Sequence, residues 1–295
     1  MTGATYPART VDVIRAGALT TIQDLGRPGY AHLGVGRSGA LDPVTHQRLN
    51  RLVGNPPTAA TLETTLTGIT LSPSTGLVVA VGGAAADVRI DGRPAAWGEA
   101  VWVPGGAHLD VGIARHGLRC YIALAGGVAA EPVLGSRSTD LLSGLGPAPL
   151  RDGDVLAVGD PTGPADGVDQ MPWSVSGPDG AIDLPILPGP RADRITPAAW
   201  RQLSEAEYTV APASNRIALR LAGPRLDRNG PDTVPSEGAV LGAVQIPADG
   251  RPILFLADHP TVGGYPVIGV VTAPGLAAAA QAAPGRTVRF RPASH

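Results

Sequence analysis

The chain is organised around one stretch, TTIQDLGRPGYAHLGVGRSGALD, which runs from Thr20 to Asp42. Polar side chains and glycines follow each other without a helical or alternating period, so the stretch predicts a long loop. Asp42 and Pro43 then predict a helix start, since Asp favours the N-cap and Pro the first helical position. We expect that helix to end near Val53. The loop is either a structural turn between a strand and a helix, or a segment whose backbone N–H groups bind an anion or amide beside the helix.

Composition limits the chemistry that the chain can perform. It has 295 residues, of which 43% are hydrophobic and 16% charged, and this predicts a globular protein with a sizeable core. The formal net charge of −2 provides no basic field for nucleic acid or acidic lipid. All 23 basic residues are Arg. Without Lys, the chain has no Walker A lysine, no Schiff-base lysine and no attachment point for biotin.

Cysteine and histidine usage predicts no metal site. The single Cys, Cys120, lies in an apolar strand-like run and is expected to be a buried small side chain. The six His residues show none of the common zinc-binding spacings. The start of the sequence lacks the apolar segment of a signal peptide, and no run of about 18 apolar residues occurs. We therefore expect a cytoplasmic protein that does not bind membranes.

The rest of the sequence predicts a mainly β fold with a few short helices. Short apolar runs recur between Gly-rich turns, and Asp91-Gly92 and Asp249-Gly250 are hairpin signals. Thr196-Pro197 predicts the start of a second helix. The pattern is typical of a β-barrel or a β-sandwich. The Pro-, Gly- and Asp-rich stretch that follows Asp160 predicts a boundary, giving domains 1–160 and 182–295 with a linker at 161–181.

Polar residues beside glycines in several loops are candidate substrate contacts. Arg, Asp, Gln, Ser, Thr and Tyr in such positions suit recognition of a small polar amide or carboxylate. Each of them is, taken singly, also compatible with an ordinary turn or strand edge. The candidates are Gln23, Arg27, Ser38, Arg119, Tyr121, Ser136, Thr139, Asp140, Ser214, Gln245, Gly263, Gly264 and Tyr265.

A set of motifs in a fixed order resembles a known family. The motifs are TTIQDLGRPGY (Thr20–Tyr30), SGALD (Ser38–Asp42), RLVGNPP (Arg51–Pro57), LETTLTG (Leu62–Gly68), GLRCYIALAGG (Gly117–Gly127), GSRSTD (Gly135–Asp140), SNRIALRLAGP (Ser214–Pro224), SEGAVLGAVQIP (Ser236–Pro247) and DHPTVGGYP (Asp258–Pro266). Together they resemble the KipA family, also called allophanate hydrolase subunit 2 or the PxpC family of bacterial 5-oxoprolinase subunits. The resemblance extends from about Ile14 to Phe290.

The resemblance implies a fold, partners and a reaction. The implied fold is two cyclophilin-like β-barrel domains. The implied partners are a KipI-like subunit (allophanate hydrolase subunit 1) and a LamB/YcsF-like subunit, and the chain alone is expected to be inactive. The implied reaction is the ATP-dependent opening of 5-oxo-L-proline to L-glutamate, with ATP at or near the interface with the KipI-like partner.

Two alternatives stay open within this resemblance. One is a urea-type carboxyltransferase or allophanate hydrolase component, for which biotin would be a substrate carried on another chain. The other is a regulatory module that binds a KipI-like partner without catalysis.

The expected catalytic residues are Asp24, Arg216 and Asp258. Arg216 and loop N–H groups would stabilise charge that develops on the substrate oxygen, and Asp24 or Asp258 would orient a group or remove a proton. The C-terminal turn departs from the family pattern. The family often has Gln-Thr-Thr before Gly-Gly-Tyr-Pro, whereas this chain has His259-Pro260-Thr261-Val262, so substrate specificity is expected to differ if these side chains contact substrate.

Overall fold

The computed structural model describes residues 9–164, 180–231 and 233–293. These residues form two compact units. The first contains residues 9–25, Val44–Thr139 and 146–164; the second contains Gly26–Pro43, Asp140–Leu145 and the described residues from 180 onward. The predicted domain limits, 1–160 and 182–295, stay a prediction. Two segments assigned by sequence to the first domain nevertheless lie in the second unit, and most of the predicted linker lies outside the described residues.

The first unit contains two antiparallel sheets. Its strands are β1 (Thr10–Arg15), β2 (Leu19–Gln23), β3 (Thr61–Thr65), β4 (Ile69–Pro73), β5 (Leu77–Ala85), β6 (Val88–Ile90), β7 (Arg93–Ala95), β8 (Ala100–Val103), β9 (Leu109–Val111), β10 (His116–Leu124) and β11 (Val155–Ala157). One sheet has the order β11-β1-β4-β9-β6-β7 and the other β2-β3-β10-β5-β8. The prediction of a mainly β fold is confirmed, and in this unit the strands form two sheets.

Local turn and helix signals are confirmed near the start of the chain. Helix α1 spans Pro43–Leu52, directly after Asp42. β6 and β7 pair across Asp91-Gly92, and both turn residues have positive φ, at 46° and 76°. Such a turn matches the twist of the two strands, which is why Asp-Gly predicts a hairpin. Cys120 is buried as predicted, with 2% of its surface exposed.

The prediction of a loop beginning at Thr20 is wrong for its first residues. Leu19–Gln23 is strand β2, paired antiparallel with β3 from Leu19↔Thr65 to Gln23↔Thr61. The alternating pattern is missing from the sequence because both faces of β2 are buried, and polar residues on one face are satisfied by hydrogen bonds. The remainder, from Asp24 to Asp42, contains only a single helical turn at Ala31–Leu33.

The second unit is built on a closed barrel. Its strands are β12 (Ile182–Pro188), β13 (Tyr208–Val210), β14 (Ala218–Ala222), β15 (Glu237–Gly238), β16 (Ala243–Gln245), β17 (Ile253–Phe255), β18 (Val262–Gly263), β19 (Val267–Val271) and β20 (Thr287–Pro292). The barrel order is β12-β19-β16-β17-β14-β13-β20, and β15 pairs with β18 outside it. The ends of the barrel meet where β12 and β20 pair in parallel.

Alternating apolar residues fill this barrel. Ile182, Leu184 and Ile186 of β12 are at most 7% exposed, while Asp183 between them faces solvent. Phe290 of β20 packs edge-on against Tyr208 inside the same core. Two helices accompany the barrel, α2 (Pro197–Glu205) and α3 (Ala273–Ala280). The predicted cap of α2 is confirmed, since Thr196 Oγ1 accepts a hydrogen bond from Ala199 N at 3.0 Å.

Candidate functional site

One face of β2, β3 and β10 in the first unit is polar although it is buried. The register places Thr21 opposite Glu63, and Glu63 opposite Tyr121. The Tyr121 hydroxyl donates to Glu63 Oε2 at 2.8 Å, and Arg119 Nε lies 3.6 Å from Glu63 Oε1. Each of these residues is at most 2% exposed. The cation offsets the desolvation of the carboxylate, so the group is stable only while both charges are present.

Gln23 and His46 extend this polar face. Gln23 Nε2 donates to Thr21 Oγ1 and to the Thr139 carbonyl, both at 3.0 Å. His46, on α1, lies 2.9 Å from Thr61 Oγ1 through Nδ1 and 3.1 Å from the Pro57 carbonyl through Nε2. A carbonyl only accepts, so Nε2 carries the hydrogen and Nδ1 accepts from Thr61. Burial lowers the pKa of His46, while the hydrogen bond to Pro57 and the charges of Asp24 and Glu63 oppose that shift.

The buried neutral state of His46 makes stability depend on pH. Its pKa is lowered on folding, so near the ordinary histidine pKa of about 6.5 the unfolded chain binds more protons than the folded one. The free energy of unfolding should therefore fall as pH decreases below that value, by up to about 1.4 kcal/mol per pH unit for one group. Urea denaturation at a series of pH values measures this slope, and His46→Gln should reduce it.

The matched control is His108→Gln, because His108 is exposed and in the same unit. That variant should keep the slope of the unsubstituted protein. An undiminished slope in His46→Gln would assign the pH dependence to other groups, such as His259, whose pKa is also lowered by burial.

Asp24 accepts several hydrogen bonds from one loop of the first unit. Its Oδ1 accepts from the hydroxyls of Ser136 and Ser138, both at 2.6 Å, and its Oδ2 accepts from Arg137 N at 2.6 Å. Ser138 Oγ in turn accepts from Asp24 N at 3.0 Å. The residue is 6% exposed. These contacts hold the loop from Ser136 to Thr139, and they engage both carboxylate oxygens.

The second unit contains a buried ion pair between Arg216 and Asp258. Nε and Nη2 of Arg216 donate to Oδ2 and Oδ1 of Asp258 at 2.9 and 3.0 Å, a two-pronged geometry that is the strongest form of this pair. Asp258 also accepts from Ser38 Oγ at 2.7 Å and from Leu141 N at 3.1 Å. Arg216 Nη2 donates to the Gly39 carbonyl at 2.7 Å. The pair therefore ties three separate chain segments of the unit together.

Ser38 is held in an unfavourable backbone conformation by these contacts. Its φ is +54°, a left-handed value that residues with a side chain rarely adopt. The hydrogen bond to Asp258 and a second one from Ser38 N to the Ala257 carbonyl at 3.1 Å fix it there. Non-glycine residues in this region tend to occur at functional sites, where the surrounding structure imposes the conformation.

Arg27 and Asp140 form a second buried pair in this unit. Arg27 Nη1 lies 3.9 Å from Asp140 Oδ2, and both side chains are at most 2% exposed. Asp140 also accepts from Leu142 N, at 2.9 Å, and from Ser143 Oγ, at 2.6 Å, which closes its own turn. The loop that carries Arg27 closes between Arg27 N and the Arg37 carbonyl at 2.8 Å. Gly26 is required there, since a Cβ would lie 2.5 Å from that carbonyl oxygen.

A pocket of about 470 Å³ opens beside Arg27 in the second unit. Its polar lining residues are two arginines, of which Arg27 has a fully buried side chain and Arg37 is exposed, together with two hydroxyl-bearing residues and one histidine, and its remaining wall is mostly apolar. The lining residues are Arg27, Pro28, Gly29, Tyr30, Ala31, Val35, Gly36, Arg37, Ala239, Val240, Leu241, His259 and Thr261. A few polar groups on an apolar wall are typical of a site for a small polar molecule. We take this pocket as the candidate substrate site.

The structure brings the sequence-predicted residues into separate groups. Asp24, Ser136, Thr139 and Gln23 lie together in the first unit, and Arg119 with Tyr121 lies on the same polar face. Arg27, Ser38, Asp140, Arg216 and Asp258 lie together in the second unit. The catalytic roles assigned to Asp24, Arg216 and Asp258 stay predictions. Their observed hydrogen bonds hold loops in place.

The remaining candidates make contacts of their own within the second unit. Gln245 Nε2 donates to the Tyr265 carbonyl at 3.0 Å, beside Gly263 and Gly264. Tyr265 is 38% exposed. Ser214 Oγ accepts from Arg220 N at 3.0 Å and so closes the turn before β14. The lining of the pocket includes none of these residues.

The list of candidate residues drawn from the sequence leaves out several residues of the two units. Glu63 and His46 belong to the buried polar face, and Tyr30, Arg37 and His259 line the pocket. The signal for Glu63 was its position in a Thr-rich strand, where an acid has to face either solvent or a buried cation. For His259 the only signal was its place beside Asp258 in the turn that departs from the family pattern.

Among the described residues, no cluster of His, Cys, Asp and Glu could hold a metal ion. No helix in the described ranges is long and apolar enough to cross a membrane.

Sequence comparison identifies the class of protein to which this mainly β chain belongs. The sequence model of the carboxyltransferase domain, subdomains A and B, matches residues 33–292, so the chain belongs to this family. It is 34% identical over 284 residues to the C subunit of 5-oxoprolinase from Escherichia coli, covering 94% of this chain and 89% of that protein. The resemblance predicted from the motifs is thereby confirmed.

Two further comparisons extend this result. The chain is 31% identical to the 5-oxoprolinase C subunit of Haemophilus influenzae, over 96% of this chain and 91% of that protein. It superposes on the crystal structure of the Kluyveromyces lactis urea carboxylase with a TM-score of 0.89 and 28% identity. That match covers 99% of this chain but spans only 28% of the carboxylase chain.

Proposed function

We propose that the chain is the PxpC-type component of an ATP-dependent 5-oxoprolinase, which opens 5-oxo-L-proline to L-glutamate in the cytoplasm. The observation that carries the proposal is the identity of 34% to a 5-oxoprolinase C subunit across 94% of this chain and 89% of that relative. A match of nearly full length on both sides favours equivalent components of the enzyme.

The second-unit pocket fits a small cyclic amide with a carboxylate. Arg37, an exposed residue of the lining, can donate to the carboxylate or to a phosphoryl oxygen, and the apolar wall can hold the ring methylenes. A lactam is a poor electrophile, so its carbonyl oxygen has to be activated before water can attack. ATP supplies the phosphoryl group for that activation. Donors fixed in advance, such as a buried guanidinium, stabilise negative charge that develops on oxygen.

The proposal includes two partner proteins. A KipI-like subunit would complete the site at which ATP binds, and a LamB/YcsF-like subunit would finish the hydrolysis. This chain has no Walker A lysine, so its own phosphate contacts are limited to Arg and backbone groups. We therefore expect the isolated chain to be inactive.

The test is ATP hydrolysis by the chain co-expressed with both partners. Phosphate and glutamate are measured with 5-oxoproline, and with urea and allophanate as controls. We expect glutamate to appear in step with phosphate only with 5-oxoproline. Phosphate release that 5-oxoproline does not stimulate would contradict the proposal.

The second candidate is a urea-type biotin-dependent carboxyltransferase. It is favoured by the TM-score of 0.89 with the urea carboxylase. Biotin would then be a substrate carried on another chain, because this one has no Lys. Carboxyl transfer from carboxylated biotin to urea, with no effect of 5-oxoproline, would support this candidate.

A further inference from the structure

His259 is fixed at the wall of the pocket by the turn that follows β17. Its ring stacks on Phe255, with centroids 5.9 Å apart and planes 11° apart, and only 7% of the residue is exposed. His259 N donates to the Leu256 carbonyl at 3.2 Å, which anchors the backbone of the turn. The ring is therefore held in one orientation, and His259 is one of the lining residues of the pocket.

The hydrogen bonds of the ring determine which nitrogen carries the proton. Nδ1 lies 2.7 Å from the Pro260 carbonyl oxygen. A carbonyl can only accept, so Nδ1 is the donor, and in the neutral ring Nε2 is left with its lone pair. Burial lowers the pKa of His259, against smaller raising effects from the Pro260 carbonyl, Asp258 and Asp140. The neutral ring is thus the form expected at neutral pH.

The two carboxylates that act on the His259 ring are both engaged with other groups. Asp258 is engaged by Arg216 and Ser38, and Asp140 by its own turn and Arg27. Within the described residues, Nε2 of His259 makes no hydrogen bond.

His259 also differs in chemistry from the other polar side chains of the pocket. The guanidinium group of Arg37 can only donate, and the hydroxyls of Tyr30 and Thr261 can donate or accept. Nε2 of neutral His259 can only accept. A ligand that uses the whole lining has to offer an acceptor or anion to Arg37 and a donor hydrogen to His259.

We propose that Nε2 of His259 accepts a hydrogen bond from the ring N–H of 5-oxoproline and so selects a lactam over its oxygen analogue. The inference rests on the proposed function and assigns a specificity-determining residue to its site. In the oxygen analogue, a ring oxygen replaces the ring N–H and would place its lone pair against the lone pair of Nε2. Because Nε2 would then lack a donor in a partly buried position, the affinity for this analogue should be about 10- to 100-fold lower.

The experiment compares two ligands that differ in this one group. Dissociation constants of 5-oxoproline and of the lactone 5-oxotetrahydrofuran-2-carboxylate are measured by calorimetry on the assembled complex with a non-hydrolysable ATP analogue. We expect the lactam to bind about 10- to 100-fold more tightly than the lactone. His259→Phe retains an aromatic ring of similar size, and it should bring this ratio close to one.

Two further variants separate the role of Nε2 from a general effect on folding. His259→Gln offers an amide oxygen as acceptor and should retain most of the preference for the lactam. His108→Phe makes the same type of substitution at an exposed position of the first unit and should leave the ratio unchanged. Circular dichroism of each complex verifies that the variants are folded.

Each outcome supports or overturns the inference. The inference is supported if the ratio of the two dissociation constants falls close to one in His259→Phe and is largely retained in His259→Gln. An equal affinity for the two ligands in the unsubstituted complex, or an unchanged ratio in His259→Phe, overturns it and leaves the proposed function intact. Binding of neither ligand would refute the proposed function, and this inference with it.

Discussion

Replacing Arg216 with alanine is expected to lower the free energy of unfolding by about 3–5 kcal/mol, because it leaves a buried carboxylate without its cation. Arg216 is 1% exposed and Asp258 is fully buried. The guanidinium contributes both hydrogen bonds of the pair and a third to the Gly39 carbonyl. Activity of the assembled complex should be lost as well, since Asp258 positions Ser38 and precedes His259 at the pocket.

Urea denaturation followed by circular dichroism measures the effect, with Arg220→Ala as the matched control. Arg220 lies on β14, a short distance further along the chain, and is exposed. Its loss should change stability by no more than about 0.5 kcal/mol. A similarly small change in Arg216→Ala would show that the pair does not stabilise the unit.

A double substitution separates charge from volume. Arg216→Met with Asp258→Leu removes both charges and leaves side chains of similar size. Since replacing a whole buried pair is far less costly than breaking it, the double variant should be more stable than either Arg216→Ala or Asp258→Ala. Full activity in both Arg216→Ala and Asp258→Ala would contradict the catalytic roles that the sequence predicts for these two residues.

Local chemistry in the sequence was sufficient to predict several elements. Asp91-Gly92 forms its hairpin because few other residue pairs adopt positive φ at both turn positions. Thr196-Pro197 marks the start of α2 because the cap is made within three residues. These signals depend on neighbours along the chain, so they survive without knowledge of the tertiary structure. The family motifs added the overall architecture.

Contacts between residues that are far apart in the sequence could not be predicted from such local signals. Ser38 and Asp258 are 220 positions apart, and their hydrogen bond forms only because the Gly26–Pro43 segment joins the second unit. Strand β2 could not be predicted either, because the polar residues in it are typical of a loop. Its polar face continues through Glu63 and Tyr121, which lie on strands far along the chain. No local sequence pattern indicates this strand pairing. The candidate site therefore required the strand pairing.

Replacing Asp24 with alanine is expected to destabilise the protein by about 2–4 kcal/mol, since three donors lose one charged acceptor. Two of them are the hydroxyls of Ser136 and Ser138, which can rotate towards other acceptors. The third is Arg137 N, which cannot. Asp24→Asn should cost less than Asp24→Ala, because the amide can keep its oxygen on Arg137 N and donate its NH₂ group to the serine oxygens, but the charge that strengthens these hydrogen bonds is lost.

The measurement is urea denaturation of Asp24→Ala and Asp24→Asn beside Asp12→Ala. Asp12 is an exposed carboxylate of β1 in the same unit, so its removal controls for the loss of one negative charge. A cost for Asp24→Asn below that of Asp12→Ala would show that the carboxylate does not organise the loop. If Asp24→Ala is instead as stable as the unsubstituted protein but inactive in the complex, Asp24 acts on the substrate, as the sequence predicts. A loss of stability with retained activity at low temperature would place its role in the loop, because the folded fraction would then still carry out the reaction.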